Sequence, residues 1–318
     1  VIADNCSDGT AKAAARHDVA VLERRDPVAF GKGHALAWGL DTIAPEHFDV
    51  VGIIDADTTS CGNAMELLAR RSLATGRPVQ GCYLHTLPPG ADAWSAFSCF
   101  AVTVNNLIRQ RGRQRLGVPC QVNGNGIFMP FDCARSVNWS SGSLAEDAAL
   151  GLDLSLAGHD TLFEEHAIIT TPAACGAARI LAQRGGWMKG RLDLSARTTS
   201  RSLATSIRHG RMRAAIATLD LAIPPTSVLA AILVAQLACV LGAASAGVRV
   251  ALPLSIWAIG ASAFFTAMVL AWWTHGRTLI TGRVLCRIPW ILARQCLAVA
   301  AGTVRRRATW RDYRKPDC

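Results

Sequence analysis

Over residues 1 to about 175, apolar positions fall into short runs separated by stretches of helical periodicity, the pattern of an α/β domain. The runs predict strands at Val1–Ala3, Val19–Leu22, Val50–Ile54, Val79–Tyr83, Gly126–Met129 and Thr161–Ile169. Between them the pattern predicts helices over Thr10–His17, His34–Ile43, Asn63–Thr75, Trp94–Arg109 and Ala145–Ala157, with Gly9, Gly31, Gly33, Gly76 and Pro88-Pro89-Gly90 as punctuation. The Val50-Val51-Gly52-Ile53-Ile54 run suits a central parallel strand covered on both faces. No internal repeat is visible.

Beyond Arg179 the pattern changes. Arg197, Arg201, Arg208, Arg211 and Arg213 precede an uncharged stretch, of which Val228–Val248 (21 residues) and Val250–Thr274 (25 residues) are each long enough to cross a bilayer as a helix. Only Arg249 separates them, and arginine is dense before the first and after the second, which places both flanks on the cytoplasmic side. The soluble alternative is a pair of long apolar helices buried side by side. Thr278–Val304 differs, because Arg283, Arg287 and Arg294 fall within about 40° of one another on a helix, with Arg305 on the same face. Near the centre of a spanning helix each would cost roughly 2.5–3.5 kcal/mol, a cost that an interfacial helix avoids. An interfacial amphipathic helix, broken near Pro289, is therefore expected there, with a third span as the alternative.

The composition agrees with membrane segments: hydrophobic residues make up 51% of the 318-residue chain. The net charge of +10 is carried almost wholly by arginine and suits anionic lipid or a phosphorylated substrate. No basic stretch is interleaved with aromatics and no nucleic-acid module is present, so nucleic acid is not an expected partner. The eleven cysteines form no Cys-x-x-Cys pair and no Cys/His cluster at zinc spacing, which fits a reducing compartment. Trp272-Trp273 reads as an interfacial anchor, and Arg305-Arg306-Arg307 as a tail that meets anionic headgroups. Glu164-Glu165-His166 reads as surface, and His85, His159 and His166 lack evident partners. The chain starts at Val1 with neither an initiator methionine nor a signal peptide, and is expected to lack its true N-terminal part.

The chemistry concentrates at a few places. Asp55-Ala56-Asp57 puts two carboxylates at the mouth of an apolar strand, where ligands bind in open α/β sheets. With no basic residue between them they repel unless joined by a cation or a hydrogen-bonding ligand, and a hard divalent metal carrying a diphosphate would serve. Gly31-Lys32-Gly33 opens a helix, where backbone N–H groups and one lysine suit phosphate. Asp8 and Thr10 suit a helix cap, and Glu146-Asp147 an acidic first turn.

Taken in order, these pieces resemble a membrane-bound family 2 glycosyltransferase of the branch that includes cellulose synthase and bacterial exopolysaccharide synthases. The blocks are Ala3-Asp4-Asn5-Cys6-Ser7-Asp8-Gly9-Thr10, Gly31-Lys32-Gly33-His34-Ala35-Leu36, Asp55-Ala56-Asp57, Asn123-Gly124-Asn125-Gly126, Leu144-Ala145-Glu146-Asp147 and Gln183-Arg184-Gly185-Gly186-Trp187. The last departs from the family's Gln-x-x-Arg-Trp, with Gly186 where arginine belongs. The resemblance implies a GT-A-type, Rossmann-like mixed sheet with helices on both faces, followed by a transmembrane hairpin and an interfacial helix. It implies boundaries at 1–179 for the catalytic domain, 180–222 for interfacial helices, 223–275 for the hairpin and 276–318 for the amphipathic helix and basic tail.

By the same resemblance Asp147 is the catalytic base and Asp57 holds Mg²⁺ or Mn²⁺. Asp4, Lys32, Asp55, Glu146, Gln183, Arg184 and Trp187 contact donor or acceptor. The implied donor is a nucleotide sugar, a UDP-sugar. The implied acceptor is a lipid-linked or polymeric glycan in cell-surface polysaccharide synthesis. The enzyme would sit in the inner (plasma) membrane, contacting its lipids, with the catalytic domain cytoplasmic. The alternatives are a polyprenyl-phosphate sugar synthase and a catalytically impaired scaffold relative.

Overall fold

The structure is a computed structural model that describes residues 1–139 and 145–300. Leu144 and the tail arginines Arg305-Arg306-Arg307 lie outside the described residues. The strands are β1 (Ile2–Asp4), β2 (Leu22–Arg24), β3 (Val50–Ile53), β4 (Thr59–Ser60), β5 (Val79–Thr86), β6 (Ile127–Pro130) and β7 (Leu162–Pro172). β1 and β2 pair in parallel as a small sheet, and the other five form a mixed sheet in the order β3-β6-β5-β7-β4.

The Val50–Ile53 run is not a central parallel strand. β3 pairs antiparallel with β6 and forms one edge of the five-stranded sheet among the described residues. A run of Val and Ile reports burial, which helices can supply at an edge as well as neighbouring strands do.

Helices cover both faces. α1 (Thr10–Ala14) follows β1, and α2 (Lys32–Ile43), α6 (Phe131–Arg135) and α7 (Glu146–Ala157) close over Ile53, Ile127 and Met129. α3 (Ala64–Thr75) takes the opposite face, where Leu68, Val79 and Ile169 are fully buried. The two faces follow from strand alternation: Ile127 and Met129 point to one core and Phe128 to the other. α4 (Ala93–Thr103) and α5 (Arg109–Arg115) form one continuous helix, joined by a π-helical segment at Val104–Ile108. The helix expected over Trp94–Arg109 thus extends six residues further, to Arg115, and contains a bulge of the kind often found at functional sites. Of Glu164-Glu165-His166, read as surface, His166 is exposed and only Glu164 departs from that reading. Glu164 is buried on β7 and paired with Arg71 and His166, while Glu165 pairs with Arg111.

α8 (Ala177–Arg208) and α9 (Met212–Ala222) lead to α10 (Thr226–Ser245) and α11 (Ala251–Ala271), the latter extended by a π-helical turn to Gly276. Two helices, Thr226–Ser245 and Ala251–Gly276, are long and apolar enough to cross a membrane, with mean hydropathy 2.3 and 1.9. Their most apolar windows are only 6% and 11% buried, so they are not hidden side by side in a core of the described residues. α12 (Gly282–Leu285) and α13 (Ile288–Ala300) divide the next stretch at Cys286-Arg287, just ahead of the expected break. Pro289 sits in the first turn of α13, where its missing N–H costs nothing. Arg283, Arg287 and Arg294 are exposed, whereas Ile291 is buried with Trp94, Phe97 and Ile180. That cluster joins the catalytic domain to the apolar helices.

Candidate active site

A cavity of about 960 Å³ opens beyond the ends of β3 and β5 and is walled by α5, α7, α8 and α9. Lys32, Asp55, Asp57, Glu146, Asp147, Gln183 and Trp187 all line it. These residues span more than 150 positions of sequence, and the fold brings them to one space.

Lys32 lies in the first turn of α2, and both flanking glycines are needed there. Gly31 adopts φ 116°, a conformation that residues with a Cβ rarely take, and a Cβ on Gly33 would lie 2.1 Å from the Trp139 carbonyl oxygen. The Lys32 ammonium donates to the Asp55 carboxylate and, at 2.6 Å, to the Gly124 carbonyl oxygen. The Asp55 backbone N–H donates to Asn125 Oδ1 at 3.1 Å, and Asn125 Nδ2 donates to Thr58 Oγ1 at 2.7 Å. The Asn123–Gly126 loop is clamped from below by Gln80, a fully buried amide on β5. Its Nε2 donates to the Asn125 carbonyl oxygen at 2.8 Å, and its Oε1 accepts from the Asn123 N–H at 2.9 Å. Asp57 is exposed on the turn after β3 and makes no hydrogen bond or ion pair with another described residue.

Glu146 and Asp147 occupy the first turn of α7, where the helix dipole favours negative charge. Asp147 keeps some surface open to the cavity but is enclosed by protein elsewhere. That burial raises its pKa, against the opposing pull of the Ala148 N–H, Lys32 and Arg191. Burial, with the neighbouring Asp147 charge, pushes Glu146 up to about 7. Two carboxyl groups this close cannot both ionise freely in such surroundings.

On α8, Gln183, Gly186, Trp187 and Arg191 all face the cavity, at spacings that place them on one side of a helix. The Trp187 indole is 48% exposed and its ring lies 6.4 Å from that of His85. Burial, reinforced by the Arg184 charge, lowers His85 to about 4, so its imidazole is neutral.

Two expected residues lie elsewhere. Arg184 is absent from the cavity wall, and its guanidinium sits 5.2 Å from the Phe97 ring centroid, on another side of α8. Asp4, at the end of β1, also lies outside the wall, and accepts from Arg24 at 2.7 Å and Asn5 at 3.1 Å. Several wall residues carried no recognised signal in the sequence: Tyr83, Asn105, Asn106, Arg113, Gln121, Arg191 and Asp220. The π-helical turn brings Asn105 and Asn106 to the cavity, and Asn106 Nδ2 donates to the Tyr83 carbonyl oxygen at 3.0 Å. The one signal available for Gln80 was a polar residue inside an apolar strand, which when buried requires partners.

The model of the glycosyltransferase like family 2 matches residues 1–190, well over half of the chain. The chain belongs to this family. It is thus a glycosyltransferase, with a nucleotide-sugar donor and an acceptor, and its mixed sheet with helices on both faces is the GT-A-type architecture. Comparison with curated proteins returned no match.

The donor set of this glycosyltransferase fits a divalent ion bound with its substrate. Among the described residues no three His, Cys, Asp or Glu side chains cluster as a self-sufficient metal cage. Mg²⁺ in particular binds through one or two carboxylates plus substrate phosphates. Asp57, exposed to the cavity and without a bonding partner, can supply one such carboxylate, and Asp55 a second beside it.

Two expectations follow. Gly33→Ala should push the Trp139 backbone away from α2, costing about 1–3 kcal/mol of stability in denaturant titration and weakening nucleotide binding. Glu146 has a folded pKa raised from 4.5 to about 7, so its contribution favours the folded state at low pH and is lost as pH rises from about 4.5 to 7. Melting curves of wild type and Glu146→Gln should therefore show the wild type losing more stability across that window.

Proposed function

We propose that this glycosyltransferase inverts the anomeric centre as it moves a sugar from a UDP-sugar to a lipid-linked or polymeric glycan during cell-surface polysaccharide synthesis. The proposed setting is the inner (plasma) membrane, crossed by the two apolar helices, with the catalytic domain in the cytoplasm. The observation that carries this reading is the shared cavity. One space holds the lysine and carboxylates at the strand end, the acidic pair of α7, and the Gln183/Trp187 face of α8.

Asp147 is proposed as the general base. Its carboxylate takes the proton of the acceptor hydroxyl as that oxygen attacks the sugar's anomeric carbon, and the bond to the nucleoside diphosphate breaks on the opposite face. Burial raises its proton affinity, which makes it a stronger proton acceptor than a solvated carboxylate. Glu146, with a pKa of about 7, retains a proton through part of the neutral range and limits repulsion beside the base. Lys32 holds Asp55 in place and adds positive charge at the phosphate end. Asp57, with Asp55, would hold Mg²⁺ or Mn²⁺, which offsets the charge growing on the departing diphosphate. The exposed Trp187 indole offers an apolar face to a sugar ring.

Asp147→Asn should lower kcat by about 10²–10⁴-fold while UDP binding stays at the wild-type level. Wild-type turnover in that variant would remove Asp147 as the base. In calorimetry, Mn²⁺ should tighten UDP binding to the wild type and leave Asp57→Ala unaffected. Equal metal dependence in both would move the metal site elsewhere.

A further inference from the structure

At one end of the cavity, among the described residues, three arginines gather around one aspartate. Asp220 on α9 accepts from Arg109 at 3.0 Å, from Arg113, and lies 3.5 Å from Arg191; Arg191 also donates to the Asp220 carbonyl oxygen at 3.0 Å. Gln121 donates to the same carboxylate at 2.9 Å. Three guanidinium groups thus share one carboxylate, and the other acid that acts on Arg191 is Asp147. Burial, together with the neighbouring cations, lowers Arg113 to about 9 and Arg191 to about 10. Arg113, Arg191 and Asp220 all line the cavity.

This cluster is built differently from the Lys32–Asp55 end. Its residues come from α5, α8 and α9, and both Asp220 and Arg191 lie beyond the segment that matches the family model. Asp147 interacts electrostatically with Lys32 and with Arg191, which couples the proposed base to both cationic groups. The cluster also adjoins the apolar helices. Met188, one turn before Arg191 on α8, meets the Ser227 hydroxyl in the first turn of α10 at 3.9 Å, and Asp220 is six residues ahead of Thr226. Paired guanidinium groups in a sheltered wall suit the oxygens of a phosphate.

We infer that Arg191 and Arg113, braced by Asp220, seat the phosphate of a membrane-lipid-linked acceptor. This deepens the proposed function and rests on it: the saccharide hydroxyl meets Asp147 while the phosphate that ties the saccharide to its lipid occupies the arginine end.

The test uses the full chain in phosphatidylcholine nanodiscs, with dodecyl phosphate, dodecanol, inorganic phosphate and UDP as probes in calorimetry. Dodecyl phosphate should bind saturably, and dodecanol or inorganic phosphate at the same concentration should not displace it. Arg191→Gln should weaken dodecyl phosphate binding by about tenfold or more, Arg191→Lys by less, and both should bind UDP with Mn²⁺ as the wild type does. Ala217→Glu, which leaves every arginine in place but adds a carboxylate to the same wall, should block dodecyl phosphate as well. Unchanged dodecyl phosphate binding in Arg191→Gln and Ala217→Glu overturns the inference. An equal loss of UDP affinity in Arg191→Gln also overturns it, by assigning the arginine to the donor. Displacement by inorganic phosphate overturns the lipid assignment in favour of a soluble phosphorylated acceptor. If the wild type binds no UDP while dodecyl phosphate binding still depends on Arg191, the proposed function fails and the subsite stands.

Discussion

The bond from the Lys32 ammonium to Asp55 and the Gly124 carbonyl oxygen holds together three segments that the chain keeps far apart. α2 supplies the cation, the end of β3 the carboxylate, and the Asn123–Gly126 loop the carbonyl. An ammonium removed from bulk water must find acceptors, and these two fix where the strand end and the loop can sit relative to each other. Gln80 completes the constraint from beneath, since its amide bonds to the same loop on the buried side. The loop in turn passes beside Asp147: a Cβ on Gly124 would lie 3.3 Å from that residue's own Cβ. Positions of both carboxylate groups therefore depend on the same few polar contacts.

The second half of the cavity rests on a different balance. There, arginines converge on one aspartate, and the wall is formed by helices that lead directly into the apolar pair α10 and α11. The cluster of Trp94, Phe97, Ile180, Ala271, Ile280 and Ile291 fastens those helices to the catalytic domain. A cavity placed between a phosphate-suited strand end and a cationic wall beside the apolar helices suits the proposed reaction between a water-soluble donor and an acceptor held at a bilayer.

Much of the site could be read from residue order. Gly31-Lys32-Gly33, Asp55-Ala56-Asp57, Glu146-Asp147 and the Gln183/Trp187 pair carry distinctive residue types at close spacing, and all four meet at the cavity. Asp4 and Arg184 belonged to the same blocks, yet they point into other contacts. Membership of a short motif fixes a residue's neighbours in sequence but not the direction of its side chain, and Arg184 turns toward Phe97 because α8 presents a different side there. Arg113, Arg191 and Asp220 gave no local signal, since an arginine or aspartate on an amphipathic helix reads as a solvated face until another helix packs on it.

By itself the sequence determined the alternation of strands and helices, the two long apolar helices and the local chemistry of each motif, because these depend on periodicity and on residues within a few positions of one another. Tertiary structure alone decided that β3 pairs antiparallel and lies at the sheet edge among the described residues, that Glu164 is buried in an ion pair, and that three distant arginines gather around Asp220. Strand neighbours, burial and the sharing of charge are set by contacts between segments tens of residues apart. Those contacts form only once the helices have closed over both faces of the sheet.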